Sequence, residues 1–193
     1  MSRVLLLSTH LSGSGHLTRI AAIARAAAAQ GGAATVVTGG APLPWIDRRG
    51  IGWRQLPPLH VRDLDFSTLL TPAGAPADAA YLAARREAVV EAVRRLRPDA
   101  LVCELYPFGR RSLAAEFEAA IAEARALGAR VFCSVRDLPE PPRKPGRAER
   151  AEAALRGRFA RVLAHGDAAI APFGRAWPGA ARLSDVLVHT GYV

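Results

Sequence analysis

Short apolar runs alternate along this chain with longer stretches whose apolar positions recur every three or four residues, and that alternation predicts repeated β-α units. Arg3 to Ser8 reads as a short buried strand. A helix is expected over His16 to Gln30, with Leu17, Ile20, Ala21, Ala24 and Ala28 on one side and Gly31-Gly32 stopping it. Ala34 to Thr38 is the second strand, closed by Gly39-Gly40. A short helix over Pro44 to Arg49 leads to a third strand at Trp53 to Leu56, which Pro57-Pro58 is expected to end. Leu59 to Pro76 reads as a long irregular loop, a length usually associated with function or mobility.

Asp78 to Arg95 is the clearest helix. It has Tyr81, Leu82, Val89, Val93 and Leu96 on one side, with Arg85, Arg86, Glu87, Glu91, Arg94 and Arg95 assigned largely to the other. Strand four is Ala100 to Glu104, and a helix from Ser112 to Leu127 follows, capped by Ser112 and Gly128. Val131 to Val135 is strand five, before a Pro-rich run over Leu138 to Pro145. A helix over Ala148 to Arg158, then strands at Arg161 to Ala164 and Asp185 to His189, complete the pattern. Strands this apolar are buried on both faces, so the fold class is α/β: a Rossmann-like, doubly wound parallel sheet of about seven strands.

Open sheets of this kind take ligands at the carboxyl ends of their strands, and the unusual polar residues fall there. Strand one is followed by Thr9, His10 and the loop Ser12-Gly13-Ser14-Gly15-His16, and strand two by Thr38-Gly39-Gly40. Strand four ends in Glu104, with Phe108-Gly109-Arg110-Arg111 beyond it; strand five ends in Arg136-Asp137, and strand six in His165-Gly166-Asp167. Any one of these is accounted for by loop polarity or helix capping, but together they point to a cleft. The Gly-rich loop opening a helix suits an anion or polar ligand, because glycines admit close approach and helix amides favour negative charge. It is not a dinucleotide fingerprint: Thr18 stands where the third glycine would fall, and no acidic residue ends strand two. Nor is it a Walker A loop, since Gly-Lys-Ser/Thr is absent. His16 projects where the helix dipole should depress its pKa, and a neutral imidazole near pH 7 suits a general base. Simple helix capping is the alternative role for it.

At 193 residues and 20.5 kDa the chain has room for one full-sized α/β domain. No apolar run approaches a membrane span, and Val4 to Leu7 is too short for a signal peptide. Cys103 and Cys133, expected in neighbouring strands, read as small buried hydrophobes, so a reduced, cytoplasmic protein is expected. No metal is expected, because His10, His16, His60, His165 and His189 lack ligand spacing, and no Gly-x-Ser-x-Gly elbow supports a nucleophile. The net charge is +9, and every basic residue except Lys144 is arginine. Arg143 to Arg161 holds seven basic residues against two acidic ones. That segment is expected to be exposed and partly mobile, either a solvated face or a surface that meets anionic lipid or substrate. Nucleic acid is not expected as a partner, since aromatic stacking residues are not interleaved regularly with the charges.

Gly13-Ser-Gly-His16-Leu-x-Arg19, then Ile23-Ala24 and Thr38-Gly39-Gly40, resemble the N-terminal half of GT-B glycosyltransferases. The resemblance extends to bacterial predicted glycosyltransferases related to the family 28 enzymes that add N-acetylglucosamine to lipid I. It rests further on Leu56-Pro-Pro-Leu59, Asp65-Phe-Ser67, Arg97-Pro-Asp99, Glu104, Pro107-Phe-Gly-Arg-Arg111, Ser134-Val-Arg-Asp137, His165-Gly-Asp167 and Thr190-Gly-Tyr-Val193. It implies a single acceptor-side domain over residues 1–193, with a donor-binding domain beyond it that holds the nucleotide sugar. It implies sugar transfer from a nucleotide-sugar donor, such as a UDP-sugar, to an acceptor hydroxyl. A positioned base suits inversion, and helix ends with arginines can carry phosphate charge without a metal or other cofactor. His16 would be the base. The loop residues Ser12, Gly13, Ser14, Gly15 and Arg19, with Thr38, Gly39, Gly40 and His165, would line the substrate site. Arg110, Arg111 and Arg136 would bind an anionic acceptor or the donor diphosphate. Glu104 and Asp137 would orient sugar hydroxyls or hold those arginines. The acceptor is expected to be anionic or lipid-linked, with peripheral contact at the inner membrane face. The loop lacks the doubled glycine that precedes His in the lipid-I enzymes, so lipid I itself is not implied. Two other readings stay open: a nucleotide-sugar hydrolase of the pseudaminic acid pathway type, whose Gly-x-Gly-His-x-x-Arg loop is shared, and a non-catalytic binding domain. Release of nucleotide without an acceptor would separate the hydrolase from the transferase.

Overall fold

The computed structural model describes residues 1–193 except Leu64 and Arg143, so the predicted loop and basic segment containing those two lie partly outside the described residues. Seven strands form one sheet in the order β3-β2-β1-β4-β5-β6-β7, with every neighbouring pair parallel. They are β1 (Arg3–Ser8), β2 (Ala33–Gly40), β3 (Gly52–Leu59), β4 (Ala100–Glu104), β5 (Arg130–Arg136), β6 (Arg161–His165) and β7 (Leu187–His189). The helices are α1 (Gly15–Ala29), α2 (Ala79–Leu96), α3 (Ala114–Ala126) and α4 (Arg147–Leu155). The expected α/β parallel sheet is therefore the fold.

Side-chain alternation along β1 separates two cores. Leu6 joins Leu17, Ile20, Ala21 and Ala24 of α1 and Val36 of β2 on one side. Leu5 and Leu7 join Val89 and Val93 of α2, Phe117 and Ile121 of α3, and Leu155 of α4 on the other. Cys103 and Cys133 face each other in register between β4 and β5, both fully buried and free. Burial, with the charge of Glu118 adding to it, pushes the Cys103 thiol up, as expected of a small core side chain. The strand order reverses between β1 and β4, and the crevice at their carboxyl ends is where such sheets place ligands.

Several local expectations are corrected. β3 does not stop at Leu56 but runs through Pro57-Pro58 to Leu59. It is an edge strand, and an edge tolerates residues without an N–H donor. Residues 44–46 form a turn instead of a helix. Ser112 does not cap α3; it sits inside a 3-10 turn, Arg111–Leu113, that leads into the helix without a side-chain cap. Asp78 does cap α2, accepting from the Tyr81 amide at 2.8 Å. The long loop after β3 is partly ordered by antiparallel bridges from Leu70 to His60 and Pro76.

The basic segment is exposed only in part. α4 turns Ala148, Ala151 and Leu155 into the core, and Arg158 pairs with Glu118. Among the described residues no helix is long and apolar enough to cross a membrane.

The largest correction concerns Arg85, assigned above to the polar side of α2. It is fully buried. Its guanidinium bonds both oxygens of Glu116 on α3, at 2.9 and 3.0 Å, and donates to the carbonyl oxygens of Gly39 and Pro57. The acid compensates that charge, and the two carbonyls with the Thr9 hydroxyl, at 3.4 Å, take the remaining donors.

Candidate active site at the switch point

The loop leaving β1 enters α1 through Gly13, whose φ of +67° is a left-handed conformation that glycine takes without penalty. Cβ atoms built at Gly13 and Gly15 would meet nothing within 4 Å, so the backbone there faces open space. No side chain caps the helix and no acidic residue lies in its first turn, which leaves its amino end able to favour negative charge.

His16 stands in that first turn. Its Nδ1 lies 2.8 Å from Oε1 of Glu104, the last residue of β4, so the two residues bridge the switch point from β1 to β4. Arg19, one turn further along α1, pairs with the same oxygen. On the other carboxylate oxygen, the Ser134 hydroxyl donates at 2.5 Å. Ser134 lies opposite Glu104 in the β4-β5 register. His165 at the end of β6 places its Nε2 at 2.9 Å from the Ser134 hydroxyl and its Nδ1 at 2.8 Å from Thr190 Oγ1.

The proton positions follow from the charge at the centre of this network. The Glu104 side chain is 1% exposed. Burial pushes its carboxyl up, but the bonds from His16 and Ser134 and the charge of Arg19 outweigh burial and hold it below the ordinary carboxylate value. Glu104 is therefore an anion and accepts from every neighbour. His16 must donate to that anion from Nδ1, and in the neutral imidazole the lone pair then lies on Nε2. Ser134 spends its only proton on Glu104 and accepts from His165 Nε2–H. Burial holds His165 below the ordinary histidine value, so it stays neutral in this role.

A cleft of about 320 Å³ opens beside the network, lined by Gly15, His16, Arg19, Arg136, Asp137 and His165, with Tyr192 and Val193 at its margin. Arg136 donates to Asp137 at 3.3 Å, and the backbone amide of Leu138 and that contact hold the Asp137 carboxyl low.

The sequence-derived candidates thus divide. His16, Gly15, Arg19, Glu104, Arg136, Asp137 and His165 come together. Glu104 holds His16 and Arg19 and is not paired with Arg110, Arg111 or Arg136. Arg110 and Arg111 line a separate cleft of about 600 Å³. Ser12 and Gly13 are exposed on the loop and, with Ser14, lie outside the residues lining either cleft. Thr38, Gly39 and Gly40 are buried in β2. A Cβ on Gly39 would collide with Arg85 and Thr9, and one on Gly40 with His10, so packing is what these glycines serve.

Ser134 and Thr190 stood in the motifs quoted above but were given no role in the site, because only the strand register reveals the partners of Ser134. Among the described residues, no group of three His, Cys, Asp or Glu side chains is placed to hold a metal ion.

No protein-family model matches the chain, and no curated protein matches it in sequence. Solved structures do match. MurG of Acinetobacter baumannii is 14% identical, with a TM-score of 0.53, over 86% of this chain and 42% of that one. The glycosyltransferase SsfS6 of Streptomyces sp. SF2575 is 14% identical, with a TM-score of 0.53, over 85% of this chain and 50% of its own. UGT2 of Phytolacca americana, in complex with UDP-2-fluoro-glucose and pterostilbene, is 14% identical, with a TM-score of 0.52, over 98% of this chain and 53% of its own. The chain spans about half the length of each. Its seven-stranded parallel sheet, with helices on both faces, is therefore the Rossmann-like fold that these glycosyltransferase structures share over about half of their length.

Proposed function

We propose that this chain is the acceptor-side half of a glycosyltransferase that moves a sugar from a nucleotide-sugar donor to an acceptor hydroxyl, with inversion and without a metal. The observation that carries the reading is the His16–Glu104 pair at the switch point, with Nε2 of the imidazole facing a cleft and unpaired among the described residues. In this reaction His16 Nε2 takes the proton of the acceptor hydroxyl as its oxygen attacks the anomeric carbon. The bond from that carbon to the nucleotide oxygen breaks at the opposite face, so the configuration inverts. Glu104, fixed by Arg19 and Ser134, stabilises the imidazolium that forms, as the carboxylate of a catalytic triad does. Arg136 and the uncapped amino end of α1 supply positive potential for the departing diphosphate. The donor is held by a second half.

The isolated 193 residues are accordingly expected to fold but to turn over no nucleotide sugar. Incubation with candidate donors and acceptors, followed by assay of free nucleotide, checks this; steady turnover by the isolated chain contradicts it.

Ser134 acts through Glu104. Loss of one hydrogen bond to a charged group predicts that Ser134→Ala lowers kcat about tenfold with KM little changed. Because that bond helps keep Glu104 ionised, its removal raises the pKa of the coupled pair, and the acid limb of the pH-rate profile moves to higher pH. A fall in kcat with an unmoved acid limb would leave Ser134 a packing residue only.

A further inference from the structure

Most buried or half-buried arginines here meet a carboxylate or a carbonyl. Arg19 pairs with Glu104, Arg85 with Glu116, and Arg158 with Glu118. Arg110 does not. It is half-buried in the turn after β4, and no hydrogen bond or ion pair joins its guanidinium to another described residue. Burial lowers its pKa against the pull of Glu104, so its charge is incompletely compensated by the protein. Its backbone is left-handed, at φ 58° and ψ 31°. That conformation disfavours an arginine and persists only where the surrounding structure enforces it.

The cleft that Arg110 lines, of about 600 Å³, also presents Arg111, Lys144 and Arg147, against Glu140 as its one acid. Arg147 donates to the Phe108 carbonyl at 3.0 Å, whereas Arg111 and Lys144 have no ion-pair partner among the described residues. Other parts of the wall are apolar: Leu11, Leu105 and Phe66, the last 44% exposed. Cations favour an oxyanion, while an exposed phenyl ring and two leucines favour hydrocarbon beside it. A bare inorganic ion would leave that apolar wall wet.

We propose that this second cleft binds a small organic oxyanion, a carboxylate or phosphate ester on an apolar body, and that Arg110 selects for its charge. The inference rests on the glycosyltransferase reading only in making that anion part of the acceptor. Arg110 follows the strand that ends in Glu104, so one molecule can place its anion against Arg110 while its hydroxyl approaches His16.

The test is titration calorimetry on the 193-residue chain with phenyl phosphate, benzoate, inorganic phosphate and benzyl alcohol. Phenyl phosphate or benzoate is expected to bind saturably, inorganic phosphate more weakly, and benzyl alcohol not at all over the same range. The preferred anion identifies the ester or the carboxylate as the natural group. Arg110→Asn, which a left-handed backbone accommodates, should weaken binding about tenfold or more, the loss expected for one charge-assisted contact. Arg111→Gln, on an exposed side chain, should weaken it less, and Arg136→Gln should leave it within about twofold. Absence of saturable binding to either organic anion overturns the proposal, as does equal loss in the Arg110 and Arg136 variants. Binding to phosphatidylglycerol vesicles that survives Arg110→Asn, with no binding of either small anion, overturns it in favour of a membrane surface. If His16→Ala leaves sugar transfer intact, the base assignment falls while anion binding stands; if the anions fail to bind, this cleft falls and the base stands.

Discussion

His16→Ala is expected to lower sugar transfer by about 10²-fold or more in a protein that carries both halves, the usual weight of general-base catalysis. The loss should fall on kcat, because Nε2 takes its proton only as the acceptor oxygen attacks. Folding should survive, since the His16 side chain is 23% exposed in a polar first turn and contributes little to either core. Glu104→Gln should also be impaired, because an amide can donate to Nδ1 and so favour the tautomer whose Nε2 is already protonated. His165→Ala belongs in the same series: the network gives it a positioning role through Ser134, so its effect should be smaller than that of His16→Ala. Near-normal turnover in His16→Ala with loss in His165→Ala would reverse the assignment. Measuring nucleotide release with and without an acceptor separates transfer from hydrolysis in each variant.

The largest effect on stability is expected at Glu116. Glu116→Ala leaves the Arg85 guanidinium fully buried without the carboxylate that pairs with it, at a cost of about 3–5 kcal/mol. That is a large share of the roughly 5–15 kcal/mol that holds a domain folded. Urea denaturation of the isolated chain measures it. The double variant Arg85→Met, Glu116→Leu removes both charges and should recover much of the loss, although the Gly39 and Pro57 carbonyls lose their donor. Burial pushes the Glu116 carboxyl up despite the bonds from Arg85, which is the sign of a pair whose desolvation consumes most of its attraction. A Glu116→Ala variant within about 1 kcal/mol of the parent would show that water or a neighbouring acid compensates Arg85.

The positions of the candidate residues were legible in the chain because parallel sheets gather their strand ends. Glu104, Arg136 and His165 each follow an apolar run, and the alternation of runs and helices places all three on one edge. What those residues bond was not legible. The contacts of Ser134 with Glu104 and His165 depend on a register across three strands, and sequence spacing carries no information about it. Arg85 is a different failure. Tyr81, Arg85, Val89 and Val93 recur every four residues, so the spacing put Arg85 in the buried row. Its charge led to the opposite face, and only the carboxylate on another helix explains its burial. The proline pair in β3 misled for a related reason: a strand's tolerance of proline depends on whether it lies at an edge, which is a property of the topology.

That edge has a consequence for the protein in concentrated solution. A parallel sheet ends in two strands whose outer backbone groups can pair with a strand from another molecule, the first step of aggregation. On β3, Pro57 and Pro58 have no amide hydrogen to offer, and their carbonyls already accept from Arg85 and Tyr81. The opposite end is β7, three residues long. The proline half of β3 and the short β7 both interrupt the ladder that sheet-to-sheet growth requires, so the same contacts that anchor α2 to β3 also work against one copy of this protein templating the next.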